Sequence, residues 1–176
     1  MVNFAESQKS DHTKGQIMNK NPKPNEKTEK PEFTHPVNLR FECIKCGLCC
    51  GDTEKKTRHI LLLKGETEKI ALQTGQPGTV FSVEAEGKHP YVYEMKKSSE
   101  GKCVFLKDNR CSIYPKRPLI CIFYPFELKF EEDKNAHAFD FTLECPGINQ
   151  GILLEKDDFK KLFETAQERL TQKHPR

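Results

Sequence analysis

The residues best equipped for chemistry stand in the stretch Phe41–Asp52, FECIKCGLCCGD. It holds Cys43, Cys46, Cys49 and Cys50, half of the chain's 8 cysteines, and the last two are adjacent. The others, Cys103, Cys111, Cys121 and Cys145, follow at wider intervals. Thiolates are soft ligands, and a two-residue gap lets neighbouring thiolates and their backbone N–H groups converge on one ion or cluster. Zinc knuckles use pairs at that spacing, whereas cubane iron–sulfur centres use a run of three with a remote fourth cysteine, commonly followed by proline. Cys43, Cys46 and Cys49 form such a run, and Cys145 precedes Pro146 and Gly147. The spacing favours an iron–sulfur cluster of the 4Fe–4S type, with zinc as the competing metal.

Adjacent side chains in an extended or turn conformation point apart, so Cys49 and Cys50 are expected to serve different sites. The economical assignment is two four-thiolate sites sharing one loop. Cys43, Cys46 and Cys49 would look to Cys145, and Cys50 to Cys103, Cys111 and Cys121. One site with spare redox-active cysteines is the competing arrangement. Four thiolates around zinc or an oxidised cubane leave net negative charge, so nearby donors and cations are stabilising. Arg117, between Pro115 and Pro118, is the candidate cofactor-binding residue. Lys45, Lys102 and Arg110 flank cysteines and are further candidate cations, the two lysines reading rather as solvated surface charges. The histidines at 12, 35, 59, 89, 137 and 174 are not at ligand spacing to a cysteine and read as surface or packing residues. Asp52 reads as the cap of a turn.

Composition bounds the rest. With 176 residues the chain has room for one ordinary domain. Hydrophobic content of 35% and no tryptophan describe a lean core that needs cross-links or metal. A structural zinc contributes about 10–16 kcal/mol to folding, which matches or exceeds typical whole-domain stability, so the metal-free chain is expected to unfold. The 29 basic and 26 acidic residues nearly balance, unlike a dedicated nucleic-acid binder. The apolar runs, such as Ile60–Leu63 and Leu119–Tyr124, are far too short, so neither a signal peptide nor a membrane span is expected. A soluble cytoplasmic protein follows, and in that reducing compartment cysteines serve metals more than disulfides. A protein partner or protein substrate fits such a module; the oligomeric state is open.

Which elements position the cysteines? Residues 1–36 are rich in Lys, Glu, Asn and Pro, and read as a disordered tail ahead of a cysteine-cluster domain over 37–176. TRHILLLK suggests a strand and GETEKIALQTG a helix stopped at Gly75. TVFSVEAEG reads as extended, and residues 91–114 as short antiparallel strands turning at SSEG and KDNR. Pro118 suits the first position of a short helix that Pro125 ends. FELKFEEDKNAHAFDFTLEC alternates like a hairpin about EDKN. The spacing of Phe159, Leu162, Phe163, Ala166 and Leu170 predicts a C-terminal amphipathic helix. The expected fold is a small, irregular, metal-stabilised α+β domain.

The combination CIKCGLCC, then GKCVFLKDNRCSIYPKRPLICIFYPF, then CPG resembles the cysteine-cluster family named for its CxxCxxCC motif, also called the YkgJ type. The resemblance runs from about Phe41 to Gly147 and takes in all 8 cysteines with Ile113, Tyr114, Arg117, Pro118 and Pro125. It implies a zinc- or iron-chelating domain. One branch includes flagellin lysine N-methylases, which implies an alternative iron–sulfur-dependent, protein-modifying enzyme using S-adenosylmethionine. Many relatives carry a basic residue after the cysteine of the RPxxC segment, where this chain has Ile122. No glycine-rich strand-to-helix turn of the kind that cradles a nucleoside is present in the sequence, which weighs against the enzyme.

Overall fold

A computed structural model describes residues 33–171. The tail expected over 1–36 lies mostly outside the described residues. Its last four residues do not: strand β1 (Phe33–Thr34) opens the domain, with Phe33 buried. In chain order there follow β2 (Arg40–Phe41), β3 (Leu61–Leu62), α1 (Lys64–Thr74), α2 (Gly78–Phe81), β4 (Ser82–Glu84) and β5 (Tyr93–Met95). Then come β6 (Leu106–Lys107), β7 (Arg110–Cys111), α3 (Leu119–Phe123), β8 (Phe126–Glu131), β9 (Ala136–Phe141), β10 (Ile152–Leu153) and α4 (Lys156–Thr171). The fold is α+β, built from small sheets ordered β1-β9-β8, β10-β2, β3-β5-β4 and β6-β7.

Local chemistry explains most of these elements. Phe126, Leu128 and Phe130 of β8 stand opposite Phe141, Phe139 and His137 of β9, the period-two alternation of a hairpin with one face covered. Helix α4 lays Phe159, Phe163 and Ala166 against that face, while its first turn carries Asp157 and Asp158, as the helix dipole prefers. Gly75 ends α1 in the left-handed conformation, with φ +66°. Asp108 and Asn109, both at positive φ, make the two-residue turn between β6 and β7. The stretch TVFSVEAEG is extended only in part. Gly78–Phe81 forms one helical turn before β4, which buries Phe81.

Two hydrophobic cores result. The first gathers Phe33, Leu39, Phe126, Phe139, Phe159 and Phe163 around the β8–β9 hairpin and α4. The second gathers Ile60, Leu62, Ile70, Phe81, Met95 and Phe105 around β3, β5 and α1. Helix α3 serves both: Leu119 and Phe123 enter the first, while Ile120 and Cys121 pack on the second.

The start of α3 is tied down by Glu66, a buried carboxylate of α1. Its Oε1 accepts the backbone N–H of Leu119 at 2.7 Å and pairs with Arg169 of α4 at 3.0 Å. Its Oε2 accepts the N–H of Leu63 at 3.0 Å. One side chain thus satisfies the first N–H of α3, an exposed-end donor that the helix itself cannot satisfy, and links three helices. Replacing Glu66 by Ala should destabilise the fold by about 2–4 kcal/mol, the scale for breaking a buried, hydrogen-bonded ion pair. Replacing Arg169 by Ala should cost less, because its side chain is 28% exposed. Chemical denaturation of the metal-loaded chain measures both; equal midpoints for wild type and E66A would refute the anchoring role.

Candidate metal centre

All eight cysteines are free thiols and line one cavity of about 380 Å³. Two backbone seams bring them together. In the first, Glu42 N–H donates to the Gly147 carbonyl at 3.1 Å and Asn149 N–H to the Arg40 carbonyl at 2.9 Å, laying Cys43 beside the Cys145 turn. Gly147 is required there, because a Cβ would run into the Glu42 carbonyl oxygen. In the second seam, Cys103 N–H donates to the Cys50 carbonyl at 2.7 Å and Asp52 N–H to the Gly101 carbonyl at 2.9 Å. Cys111 arrives on β7 and Cys121 on α3.

The cysteines divide by environment as they divide by seam. Cys103 belongs to the second core, with Cys50, Cys111 and Cys121 packed against it. Cys145 belongs to the first core, and Cys43 and Cys46 are exposed. Cys49 stands between. The expectation that adjacent cysteines diverge is not met: Cys49 and Cys50 bring their sulfurs to 3.8 Å. The reason is local. Leu48–Cys50 is a tight, hydrogen-bonded 3₁₀ turn, neither extended nor an open turn, started by Gly47 at φ +74°, whose carbonyl accepts the Cys50 N–H at 2.9 Å.

Electrostatics follow the same lines. The hydrogen bond between the two sulfurs, with Arg58 and Arg117 assisting against burial, lowers the Cys49 pKa to about 6. That hydrogen bond, followed by burial, pushes Cys50 up. Burial pushes Cys121 up, reinforced by the charges of Cys103, Cys49 and Cys111. Burial likewise raises Cys145, reinforced by Cys46, Cys49 and Cys43. Burial is also the largest cause raising Cys103 and Cys111. Among the described residues no three Cys, His, Asp or Glu side chains close on an ion-sized point; the thiols are spread around the cavity walls. A soft, all-sulfur donor set fits zinc or iron.

Arg117 lines the cavity with its guanidinium 4.0 Å from the centre of the Tyr114 ring. Lys45 and Arg110 also line it while remaining exposed, and Ile122 contributes an apolar wall. Lys102 lies on the second seam, its ammonium 3.5 Å from the Asp52 carbonyl. Asp52 does cap a turn. Its Oδ1 accepts the Arg58 N–H at 2.8 Å, and Lys97 bridges both carboxylate oxygens, holding the carboxyl below its usual range. His35 stacks on Phe159, His137 packs against Phe163, and His59 meets Glu94 at 2.8 Å, as packing and surface residues do. His12 and His174 lie outside the described residues.

The family model "CxxCxxCC: Putative zinc- or iron-chelating domain" matches residues 42–146, a span that begins one residue before Cys43 and ends one after Cys145. The chain belongs to the CxxCxxCC family. It is also similar to the "Uncharacterized protein MJ0661" of Methanocaldococcus jannaschii, 32% identical over 143 residues that make up 78% of this chain and 75% of that one. No solved structure matches the chain. No helix among the described residues is long and apolar enough to cross a membrane.

Sequence reasoning passed over Arg58 and Tyr124. Arg58 sits in a strand-like run and Tyr124 just before Pro125, and nothing in the spacing of either pointed to the cysteines. In space Arg58 joins the two seams: its backbone N–H holds Asp52, and its guanidinium pairs with Glu144, next to Cys145, at 2.9 Å.

Two outcomes follow. Gly147→Ala should force the first seam apart and lower the metal content of the chain. Elemental analysis of the purified variant checks it; unchanged content would show that the seam does not set this geometry. Because burial raises Cys103, Cys111, Cys121 and Cys145, these thiols are protonated at neutral pH and must lose protons to a metal. Affinity should therefore rise with pH, with proton release visible by calorimetry in buffers of different ionisation enthalpy. A pH-independent affinity would contradict the raised pKa values.

Proposed function

We propose that the chain is a metal-binding module whose cavity holds two four-thiolate centres side by side, iron–sulfur in preference to zinc, in a reducing compartment. One observation supports this reading: all eight thiols line a single cavity, with Cys145 in the first core and Cys103, packed by Cys50, Cys111 and Cys121, in the second. Cys43, Cys46, Cys49 and Cys145 form the outer group, and Cys50, Cys103, Cys111 and Cys121 the inner one. A four-coordinate ion needs only four sulfurs, so eight imply more than one metal. The spread of the thiols around about 380 Å³ supports a centre with bulk of its own, and the triplet with its remote Cys-Pro supports a cubane for the outer group. A protein partner would then meet the centre from the side of the exposed Cys43 and Cys46.

The 3.8 Å contact between Cys49 and Cys50 favours a second arrangement. With metal–sulfur bonds of about 2.3 Å, two ligands of one tetrahedral ion stand about 3.8 Å apart, so a single continuous polynuclear centre would use both sulfurs together.

Anaerobic purification with metal and acid-labile sulfide analysis tests the proposal. The expected product is brown, contains iron with matching sulfide, and bleaches on reduction. A colourless protein with stoichiometric zinc would overturn the iron–sulfur assignment and keep the module. Cys49→Ser and Cys50→Ser, which remove the soft ligand and keep its size, then separate the two arrangements. Two centres predict that the variants deplete different ones, whereas a single centre predicts the same loss from either.

A further inference from the structure

Among the described residues, two buried side-chain polar atoms have no hydrogen-bond partner: Arg58 Nε and Tyr124 Oη. They are neighbours, with the Arg58 guanidinium carbon 5.0 Å from the centre of the Tyr124 ring. The Arg58 side chain is only 10% exposed, and the residue is held at three points, two on its backbone and one on its guanidinium. Its backbone N–H is bound by Asp52, its carbonyl accepts Lys97 Nζ at 3.2 Å, and Nη2 pairs with Glu144. Tyr124 lines the cysteine cavity and stands within electrostatic reach of Cys145 and Cys49. A buried donor left unpaired costs about 1–3 kcal/mol, so two side by side call for an acceptor that the polypeptide alone does not supply.

We infer that Arg58 and Tyr124 are hydrogen-bond donors to the sulfurs of the loaded centre, on its Cys49 and Cys145 side. This rests on the metal-binding reading above. Loaded thiolates, and any bridging sulfide, are anionic acceptors in a poorly solvated place, where charge-assisted bonds are strong. Arg58 brings a permanent charge that partly neutralises the centre, and Tyr124 a neutral donor of fixed direction. Both are positioning residues: they set the charge and hydrogen bonding of the ligands and hold no metal themselves. Arg58 is also fastened to both seams, to Asp52 through its backbone N–H and to Glu144, beside Cys145, through its guanidinium.

The sign of one substitution makes the inference sharp. If the Tyr124 hydroxyl served only the polypeptide, it would be an unpaired group, and Tyr124→Phe would be neutral or stabilising. If it serves the centre, Y124F keeps the packing yet weakens the loaded form specifically. Full-length wild type, Y124F, Arg58→Gln and Arg58→Lys should be loaded anaerobically with iron and sulfide, and separately with zinc alone. For Y124F and R58Q the expected change is an affinity about 10–100-fold lower in competition with a chelator, the usual effect of losing an outer hydrogen-bond partner. With iron, the reduction potential should also move negative, and R58K should restore part of that shift by keeping the charge. A merely structural role would not move the potential at unchanged metal stoichiometry. Variants that load, hold and reduce their metal as wild type does would overturn the donor assignment alone. A wild-type chain that takes up neither iron nor zinc would overturn this inference together with the metal-binding reading.

Discussion

The whole domain turns on holding eight sulfurs around one cavity, several of them away from water. Neutral thiols tolerate such crowding, but thiolates do not. Two unit charges about 4 Å apart repel by about 4 kcal/mol at an effective dielectric constant of 20. At their 3.8 Å separation, Cys49 and Cys50 share a hydrogen bond that lowers one thiol's pKa and raises the other's, so the pair favours one negative charge over two. Ionising the remaining thiols requires cations inside the cavity. Arg117, Arg110 and Lys45 at its wall are too few to neutralise eight thiolates, so the deficit is of the kind a multivalent metal fills.

The rest of the fold is arranged around that requirement. Neither core is large, and the cavity lies where they adjoin, walled by Ile60, Met95 and Ile113 of one and by Cys145 of the other. Helix α3 is the shared wall. It is five residues long, too short to be stable by itself, and it depends on Glu66 for its first N–H and on packing for both faces. Cys121 is thereby fixed by contacts that reach α1 and α4. Metal binding and packing then act together, since each seam that gathers ligands also closes a core. A lean sequence can fold on such terms because the metal contributes on the scale of the whole hydrophobic surplus.

Features set by local chemistry were legible in the sequence. The alternation of Phe126, Leu128 and Phe130 marked a strand, the spacing of Phe159, Phe163 and Ala166 marked α4, and Gly75 and the Asp108–Asn109 turn marked ends. Spacing alone placed Cys103, Cys111 and Cys121 apart from the triplet, and the second core gathers those three with Cys50. Features set by distant contacts were not legible. Phe33–Thr34 is a two-residue strand parallel to β9, too short for any period, so its charged surroundings masked it. Folding brings Tyr124 into the wall of the cysteine cavity and Arg58 onto Glu144, the neighbour of Cys145, 86 positions away. The approach of Cys49 to Cys50 did have a local signal, because Gly47 supplies the left-handed residue that opens a 3₁₀ turn. Reading that glycine as a turn-former would have brought the two sulfurs together.

The same 3₁₀ turn gives the cavity an inside and an outside. Cys43 and Cys46 are exposed, whereas Cys103 and Cys145 are buried and Cys121 is partly so. Metal entering from solvent would meet the outer pair first, and metal held by the inner group would be shielded by the second core. The Cys49–Cys50 contact is the short route between these environments, and Asp52 with Arg58 fixes the chain immediately after it. An ordinary pair of separate knuckles would need no such joint. Adjacency therefore has a physical consequence: the Cys49 and Cys50 sulfurs lie within one hydrogen bond of each other, so that charge placed on one is felt by the other.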